Sequence, residues 1–395
     1  MHLRHNNCRA IWLKLHLYLG LSAGFIFVIL GLTGSIMVFW QIVDRWLEPQ
    51  IVSFETICSP ADYRPLDELI AAVQVKLPSE GQLKTVFFPH PERPVFRMVY
   101  QMLSSTYQGE FFDRYDLYVD PCTAKVNGPR LWEKLDQPFQ GPVMAVIMRL
   151  HTGLLISKPP HWFGSHLIGA VGILLMLSIA SGVYLWWPRK RKLKQAFTFK
   201  RNCGAQRRVF DIHKLSGVYG MAVLTTLVAT GSTMYYPWHD LLRTAVQCLS
   251  PGTATESVQI SKPTKNENSI SPSLAIELAQ QAVSGWKVKE VILPIKGTDA
   301  YLVTMESAKS VRKTRITLDR YSGVILDIHS GSQGTWGDVL LDWLFPLHTG
   351  EAFGMIGRFV VLQAGLLPAM LYITGVIRWL QKRRIKLART IDLAT

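Results

Sequence analysis

The sequence of 395 residues contains few cysteines and lacks the motifs of several large enzyme classes. Its five cysteines form no CxxC pair and no CxxCH attachment for a c-type haem, which excludes common zinc sites and covalent haem. No GxGxxG follows a strand-like stretch, and no P-loop, HExxH or GxSxG occurs. We therefore expect no binding site for NADH or ATP and no hydrolytic centre.

Acidic residues are scarce next to the apolar stretches of the chain, whereas basic residues cluster there. The chain carries 43 Lys and Arg against 28 Asp and Glu, a net charge of +15, and its mean hydropathy of +0.15 is high for a soluble enzyme. Residues 4–14, 188–208 and 378–395 together hold 18 basic residues. Basic clusters beside apolar stretches are typical of the cytoplasmic side of membrane proteins. The charge thus indicates a lipid bilayer as partner, rather than nucleic acid.

Four apolar stretches are long enough to cross a bilayer, whose hydrocarbon core is about 30 Å thick. With the basic clusters inside, both termini are cytoplasmic, the two long intervals are periplasmic, and the chain lies in the bacterial inner membrane. The predicted order is an arm with transmembrane helix 1 (1–40, apolar from 15), an external domain with an interfacial helix (41–162), transmembrane helix 2 (163–187), a basic cytoplasmic loop (188–211), transmembrane helix 3 (212–236), a second external domain with an interfacial helix (237–354), transmembrane helix 4 (355–380) and a cytoplasmic tail (381–395).

The two halves of the chain repeat one pattern at a shift of 197 residues. The matching positions are His16 and His213, Thr33 and Thr230, Gly34 and Gly231, and the LHTG segments 150–153 and 347–350. Parallel repeats are related by an axis along the membrane normal and place functional sites at their shared interface. The predicted fold class is a membrane protein with four transmembrane α-helices as two parallel repeats, each with an external α+β domain.

Each external interval has the pattern of a small α+β unit. A helical pattern precedes strand-like alternation, and a short apolar helix precedes each LHTG segment. The predicted helices are 67–77, 142–150, 273–283 and 336–345, and the predicted strands are 84–88, 95–101, 116–120, 286–293, 300–304 and 314–318. Cys58 and Cys122 fall in the same interval, where they either form a disulfide or remain two thiols.

Four of the eleven histidines occupy matching positions in the two halves. His16 and His213 begin spans near the cytoplasmic face, whereas His151 and His348 precede spans near the outer face. The repeat axis would bring the members of each pair together. Two neutral imidazoles on opposite sides of a haem form a six-coordinate site suited to electron transfer. We therefore predict two haem b groups, one in each leaflet, each ligated by one pair.

Glycines at matching positions support this prediction. Gly20 and Gly217 follow the cytoplasmic-side histidines by four residues and Gly34 and Gly231 follow them by eighteen, so all four share the histidine face of a helix. A flat macrocycle needs such a surface, free of side chains. The alternative is that these glycines mark close helix packing and that the histidines only form hydrogen bonds within the bundle.

Other residues near the outer face leave choices open. His166, in the first turns of the second span, has no counterpart in the second half and could replace His151 as a ligand or bind a haem propionate. A four-residue insertion after the first LHTG segment, around 156–160, keeps both possibilities. Arg149 and Arg358 could pair with propionates or extend to the lipid head groups.

The sequence resembles the PepSY-associated transmembrane family over nearly its whole length. The markers are the helix-start histidine with a later Thr-Gly, the LHTG segment followed by a span that ends in Gly-Val and Trp, and the motifs at 120–126 and 319–324. These motifs resemble the Asp-x-x-Thr-Gly-x-Val ending of a PepSY domain, with Ala124 in place of glycine in the first copy. Family members include FoxB-type inner-membrane reductases of ferric siderophores, which the resemblance implies carry b-type haem between histidines.

The residues and the resemblance together predict a haem-b oxidoreductase that reduces a ferric siderophore in the periplasm and thereby serves iron uptake. The electron donor would be a quinol or a cytoplasmic reductase. Siderophore oxygens are hard ligands that favour ferric iron, so one-electron reduction weakens the complex. Two other functions remain open: a non-enzymatic anchor whose PepSY-like domains bind peptides or modulate proteases, and a siderophore or metal transporter.

Overall fold

The structure, a computed structural model, describes residues 2–52, 54, 58–78, 80–103, 112–156, 163–188, 193–253, 261, 268–295, 299–308 and 310–392. In chain order the helices are α1 (His2–Leu21), α2 (Ala23–Met37), α3 (Trp40–Leu47), α4 (Pro49–Val52), α5 (Leu66–Gln74), α6 (Val143–Gly153), α7 (Phe163–Trp186), α8 (Leu193–Ala196), α9 (Ala205–Ser232), α10 (Trp238–Leu249), α11 (Pro272–Ala282), α12 (Trp336–Thr349), α13 (Gly354–Ala364) and α14 (Leu367–Asp392). The strands are β1 (Gln82–Phe87), β2 (Phe96–Leu103), β3 (Phe112–Val119), β4 (Val126–Glu133), β5 (Lys287–Ile292), β6 (Tyr301–Ser307), β7 (Ser310–Leu318) and β8 (Ile325–His329).

The membrane region consists of long apolar helices. In the described part of the chain, α7, α9 and the stretch Glu351–Ile385 are each long and apolar enough to cross a membrane. Helices α1 and α2 provide a fourth span if they are counted as one, from Cys8 to Met37, with a bend of 46°. The Ser22 hydroxyl at this bend donates to the carbonyl of Tyr18 at 2.8 Å, a type of bond that bends helices.

The last span is interrupted in its middle. Helix α13 ends at Ala364 and α14 begins at Leu367. Pro368 has no N–H group to donate to the carbonyl of Ala364, so the regular bonding pattern cannot continue across this point. Gly365 lies against the backbone of Gly31, and the Ser35 hydroxyl donates to the carbonyl of Leu362 at 2.8 Å. The interrupted span therefore packs closely against α2.

One antiparallel sheet of eight strands accompanies the helices, in the order β4-β3-β2-β1-β5-β6-β7-β8. Its two sets of four strands meet where β1 pairs with β5, with Val86 opposite Val291. The sequence predicts helix-then-strand units in each half, and α5 and α11 with their strands match them. It does not predict the outermost strands β4 and β8, nor the pairing that makes the two sets one sheet.

The two faces of the sheet differ in chemistry. One face packs its apolar side chains against α5 and α11 around fully buried residues such as Leu69, Ala279 and Val303. The opposite face carries charged and aromatic side chains, some of which contact the short helices α3 and α6. There Arg130 binds Asp44 of α3 through both terminal nitrogens at 2.8 Å and also pairs with Glu48. Because this ion pair is buried and bidentate, it fixes the sheet to the helix that follows α2.

The turns that follow β3 and β7 share one geometry. The Asp120 carboxylate accepts hydrogen bonds from the backbone N–H groups of Cys122 and Thr123, and Asp319 does the same for the corresponding residues of the second copy. Ala124 adopts a left-handed conformation, with φ of 59°. Cys58 and Cys122 form a disulfide, which decides between the two alternatives left by the sequence.

The short helices before the membrane spans are longer than predicted. Helix α6 extends to Gly153 and α12 to Thr349, so both LHTG histidines lie in the last helical turn instead of after it. Each helix ends at a left-handed residue, Leu154 with φ of 53° and Gly350 with φ of 81°. The backbone thus remains helical through His151 and His348 and reverses only beyond them.

Candidate functional site

The structure brings the four repeated histidines together as two pairs. The inner pair is His16 of α1 and His213 of α9, with ring centroids 6.2 Å apart. The outer pair is His151 of α6 and His348 of α12, with ring centroids 6.1 Å apart. The two pairs lie near opposite ends of α9, about 27 Å apart along its axis at 1.5 Å per residue.

Each inner histidine is anchored by one of the other long helices. His16 Nδ1 lies 3.1 Å from the carbonyl oxygen of Ser178 and 2.9 Å from Ser181 Oγ, both on α7. His213 Nδ1 lies 3.0 Å from the carbonyl oxygen of Leu371 and 3.0 Å from Thr374 Oγ1, both on α14. A carbonyl only accepts hydrogen bonds, so the proton of each ring is on Nδ1.

The outer histidines bind threonine hydroxyls in the same way. His151 Nδ1 lies 3.0 Å from Thr33 Oγ1, and His348 Nδ1 lies 3.0 Å from Thr230 Oγ1. Thr33 donates its own proton to the carbonyl of Ile29 at 2.7 Å, and Thr230 donates to that of Thr226 at 2.7 Å. Each hydroxyl is therefore left as an acceptor for Nδ1–H, which places the outer protons on Nδ1 as well.

This protonation pattern leaves Nε2 of every paired histidine with its lone pair. Metal-ligating histidines usually donate their other ring N–H to a protein acceptor, which fixes the tautomer and the orientation of the ring. All four rings have that arrangement. Direct packing of rings also gives centroid separations of 4.5–7 Å, so the fixed tautomer and not the spacing is the informative feature.

The hydroxyl that binds each histidine is followed by a glycine on which the imidazole lies. A Cβ added to the glycine would approach Cε1 of the ring at 2.9 Å for Gly34 and His151, 2.6 Å for Gly231 and His348, 3.1 Å for Gly182 and His16, and 3.5 Å for Gly375 and His213. We call each of these four dipeptides, Ser-Gly or Thr-Gly, a histidine seat, because its hydroxyl binds the ring and its glycine lies against it. The sequence pattern predicts a macrocycle surface at Gly34 and Gly231, and it does not predict that these dipeptides hold the histidines.

The glycines assigned to a macrocycle surface divide into two groups. Gly34 and Gly231 contact the outer imidazoles, so their assignment to the macrocycle surface is corrected: they make room for the ligand ring. A Cβ at Gly20 would have no neighbour within 4 Å, and one at Gly217 would meet only Leu371, at 3.7 Å. These two positions leave free space one turn from the inner pair, as a macrocycle requires.

The donor set fits haem better than a bare metal ion. Across the described residues, no group of three or more His, Cys, Asp or Glu side chains could hold a metal ion. A haem supplies four nitrogens itself and needs only two axial ligands from the protein. A metal–imidazole bond is about 2 Å long and a ring centroid lies roughly 1 Å behind its nitrogen, so two imidazoles across one metal have centroids about 6 Å apart. The separation of both pairs is thus compatible with one metal between the rings, although ring packing alone gives similar values.

His166 occupies a different environment from the paired histidines. Its ring packs edge-on against Tyr236, with centroids 5.8 Å apart, and its backbone carbonyl accepts a hydrogen bond from Trp238 Nε1 at 3.3 Å. The ring contact with His348 is made by His151 instead. Residues 157–160 of the insertion that motivated this alternative lie outside the described residues. The geometry favours His151 as the outer partner.

Arginines near the outer pair bind protein groups. Arg149 donates to the backbone carbonyls of Trp132 and Gln140, and Arg358 donates to the Val38 carbonyl and pairs with Glu92. Arg149 thus connects α6 to β4, and Arg358 connects α13 to the end of α2 and to the turn between β1 and β2. Neither their suggested pairing with propionates nor an extension to head groups is needed to explain them. Sequence alone could not reveal partners so distant along the chain.

A buried ionic contact joins the sheet to α12. Asp342 of α12 binds Arg312 of β7 at 2.9 Å and His329 of β8 at 3.3 Å. Burial alone would raise the pKa of the Asp342 carboxyl, but the hydrogen bonds from His329 and Arg312 outweigh it and hold that pKa below its usual range. The helix that carries His348 is therefore attached to the sheet by an ionised carboxylate.

Comparison with known proteins identifies the class of this chain. Residues 13–382 match the family described as the PepSY-associated TM region. The chain therefore belongs to this family of membrane proteins. It is also 30% identical over 91 residues to Uncharacterized protein PA4219 of Pseudomonas aeruginosa, a match that covers 23% of this chain and 21% of that protein. The matched region is thus about a fifth of the relative's length.

Proposed function

We propose that this chain is a haem-b electron-transfer protein of the bacterial inner membrane that reduces a ferric siderophore in the periplasm. The observation that carries the proposal is the duplicated seat: two pairs of imidazoles, each with its proton held on Nδ1 and its Nε2 lone pair available. Two independent pairs with the same tautomer are unexpected for histidines that serve only in packing.

The proposed architecture follows from the basic clusters and the repeated seats. The chain consists of two parallel repeats with four spans, both termini in the cytoplasm, and the eight-stranded sheet in the periplasm. The inner pair then lies towards the cytoplasm and the outer pair towards the periplasm. Two sites near opposite membrane surfaces suit transfer of electrons across the bilayer.

The roles of the protein groups follow from the geometry. His16 with His213 and His151 with His348 would hold two haem b groups, which when bound supply reversible one-electron transfer. The Ser-Gly and Thr-Gly seats fix the tautomer and the orientation of the ligand rings, and the apolar helices exclude water. Reduction of the ferric chelate weakens its binding by hard oxygen ligands, so iron is released without hydrolysis. The donor is a quinol or a cytoplasmic reductase.

The direct test is a pyridine haemochrome assay on the detergent-purified protein after expression with ample haem. We expect about two haem b per chain and, after dithionite, the α band of low-spin haem. His16→Ala and His151→Ala should each remove about half of the absorbance, whereas the control His239→Ala should leave it unchanged.

Three other outcomes would contradict the proposal or part of it. Colourless wild-type protein would refute the proposal and leave a peptide-binding anchor or a transporter. Full haem content in both His16→Ala and His151→Ala would refute the ligand assignment. Loss of half of the haem in His166→Ala, with full haem content in His151→Ala, would show that His166 and not His151 is the outer ligand.

A further inference from the structure

An apolar groove runs along the membrane helices beside the inner pair. It has a volume of about 900 Å³ and is formed by α9, α13 and the beginning of α14. Its wall residues Ile356, Phe359 and Val360 are 77, 54 and 46% exposed, so in a bilayer the groove opens towards lipid. Its volume lies within the range of ligand pockets, which are mostly apolar with a few polar groups.

One polar group in this groove has no hydrogen-bond partner among the described residues. The exposed side-chain amide of Gln363 makes no hydrogen bond within the described residues, whereas Ser216 donates to Met370 Sδ at 2.9 Å and Tyr219 donates to the Phe197 carbonyl at 2.8 Å. An amide without a partner is costly in hydrocarbon. Polar residues inside membranes therefore usually mark functional sites.

The groove ends at the residues that hold His213. Ser216 and Met370, which form its wall, are bonded to each other, and Leu371, next to Met370, accepts the hydrogen bond from His213 Nδ1. A molecule at this end of the groove would thus lie within about one helical turn, roughly 5 Å, of the inner pair, and a head group at Gln363 would lie about 12 Å away along the helix axis. This position suits an electron donor.

We propose that the groove binds an isoprenoid quinol, the electron donor of the chain; this inference rests on the proposed function. None of the described residues that line the groove is charged, so it matches a neutral head group and not the phosphate of a phospholipid. The apolar wall suits an isoprenoid tail, and the Gln363 amide can bind a quinol hydroxyl or a quinone carbonyl. A donor soluble in the bilayer also agrees with the lack of a dinucleotide motif in the sequence.

The electron balance is simple. One quinol loses two electrons and two protons and becomes a quinone. Two ferric chelates each take one electron and become ferrous, and the two protons pass to the aqueous phase. No further oxidant or reductant is required.

The test is photolabelling of the full chain in lipid nanodiscs with an azidoquinone, with the labelled peptides mapped by mass spectrometry. We expect labels in α9 and α13. Val360→Trp, which fills the groove, should reduce labelling at least tenfold, whereas Leu177→Trp, at a 45% exposed position on α7, should not. Gln363→Leu removes the amide with little change in volume and should weaken binding by about three- to tenfold.

These measurements separate the groove from the proposed function because labelling does not depend on haem. Label spread evenly over the helices, or unaffected by both Val360→Trp and Gln363→Leu, would overturn the quinol site even in haem-loaded protein. Specific labelling of protein that contains no haem would retain the site and refute the reductase. If Val360→Trp does not fold, the labelling of Gln363→Leu alone tests the quinol site.

Discussion

The inner histidines lie on α1 and α9, which run through the bundle, whereas the outer histidines lie in the last turns of the short helices α6 and α12. Anchors for the inner rings come from α7 and α14, so that site depends on the membrane helices alone. The outer helices are held in part by the sheet, through Trp132 against Met144 and through Arg312 with Asp342. The comparison indicates that the geometry of the outer pair depends on the eight-stranded sheet and that the geometry of the inner pair does not.

The largest difference is expected from adding a methyl group at the seats. The Cβ of Gly231→Ala would approach His348 at 2.6 Å, closer than real contacts allow, whereas that of Gly375→Ala would meet His213 at an ordinary 3.5 Å. We expect Gly231→Ala to displace the outer imidazole and remove most of the proposed outer haem, about half of the total haem content. The measurement is pyridine haemochrome content after gel filtration.

Gly375→Ala is the matched control and should retain both haem groups. Equal haem loss in the two variants would show that the outer imidazole does not lie closer to its glycine than the inner imidazole does. Retention of full haem content in Gly231→Ala would mean that His348 does not ligate in this position.

A smaller difference is expected from removal of the hydroxyl that accepts Nδ1–H. Loss of such an acceptor typically lowers metal affinity 10- to 100-fold. Thr374→Val leaves His213 with the carbonyl of Leu371 at 3.0 Å, so its effect should be smaller than that of Thr33→Val on His151. Haem transfer to an apo-globin acceptor measures both dissociation rates. Faster haem loss from the inner site of Thr374→Val than from the outer site of Thr33→Val would contradict this expected order.

Much of the membrane region could be predicted from sequence because its signals are local. Long apolar stretches, basic flanks and the 197-residue shift can each be read directly from the sequence. They locate the spans and predict which histidines form pairs. The bend at Ser22 and the break before Pro368 also have local causes, but the pattern of apolar residues continues across both points. Hydropathy alone therefore predicts uninterrupted spans there.

The seats and the joined sheet could not be predicted because they depend on contacts between distant segments. Gly34 shares the histidine face of its own helix, which suggested a macrocycle surface, yet the ring it contacts comes from α6, 117 residues later. Likewise, the pairing of β1 with β5 joins strands about 200 residues apart. A Ser-Gly or Thr-Gly dipeptide at all four repeated positions is the signal that could have identified the seats.

The attachment of α12 predicts sensitivity to acid at one outer helix. Asp342 has a lowered pKa, so its contribution to stability is present above the unfolded carboxyl pKa of about 4 and is lost as the pH falls through the folded value. Its counterpart 197 residues earlier is Ala145 on α6. We expect Asp342→Asn to lower the free energy of unfolding by about 1–3 kcal/mol at pH 7 and to flatten the decline of that free energy as the pH falls below about 5. A decline as steep as in the wild type would exclude Asp342 as its source.

The smallest effect is expected at the turns of the sheet. Ala124 adopts φ of 59°, a conformation in which a side chain is disfavoured, whereas the equivalent turn has Gly323 with φ of 71°. Ala124→Gly should therefore raise the free energy of unfolding by about 0.5–1 kcal/mol after the greater chain entropy of glycine is subtracted. Gly323→Ala should lower it by more, because a Cβ there would lie 2.8 Å from Leu278. Thermal unfolding in detergent measures both changes.

If the outer site depends on the sheet, Ala124→Gly should also retain the outer haem to a higher temperature and leave the inner haem unaffected. Equal shifts in the temperature of haem loss at both sites would contradict that dependence.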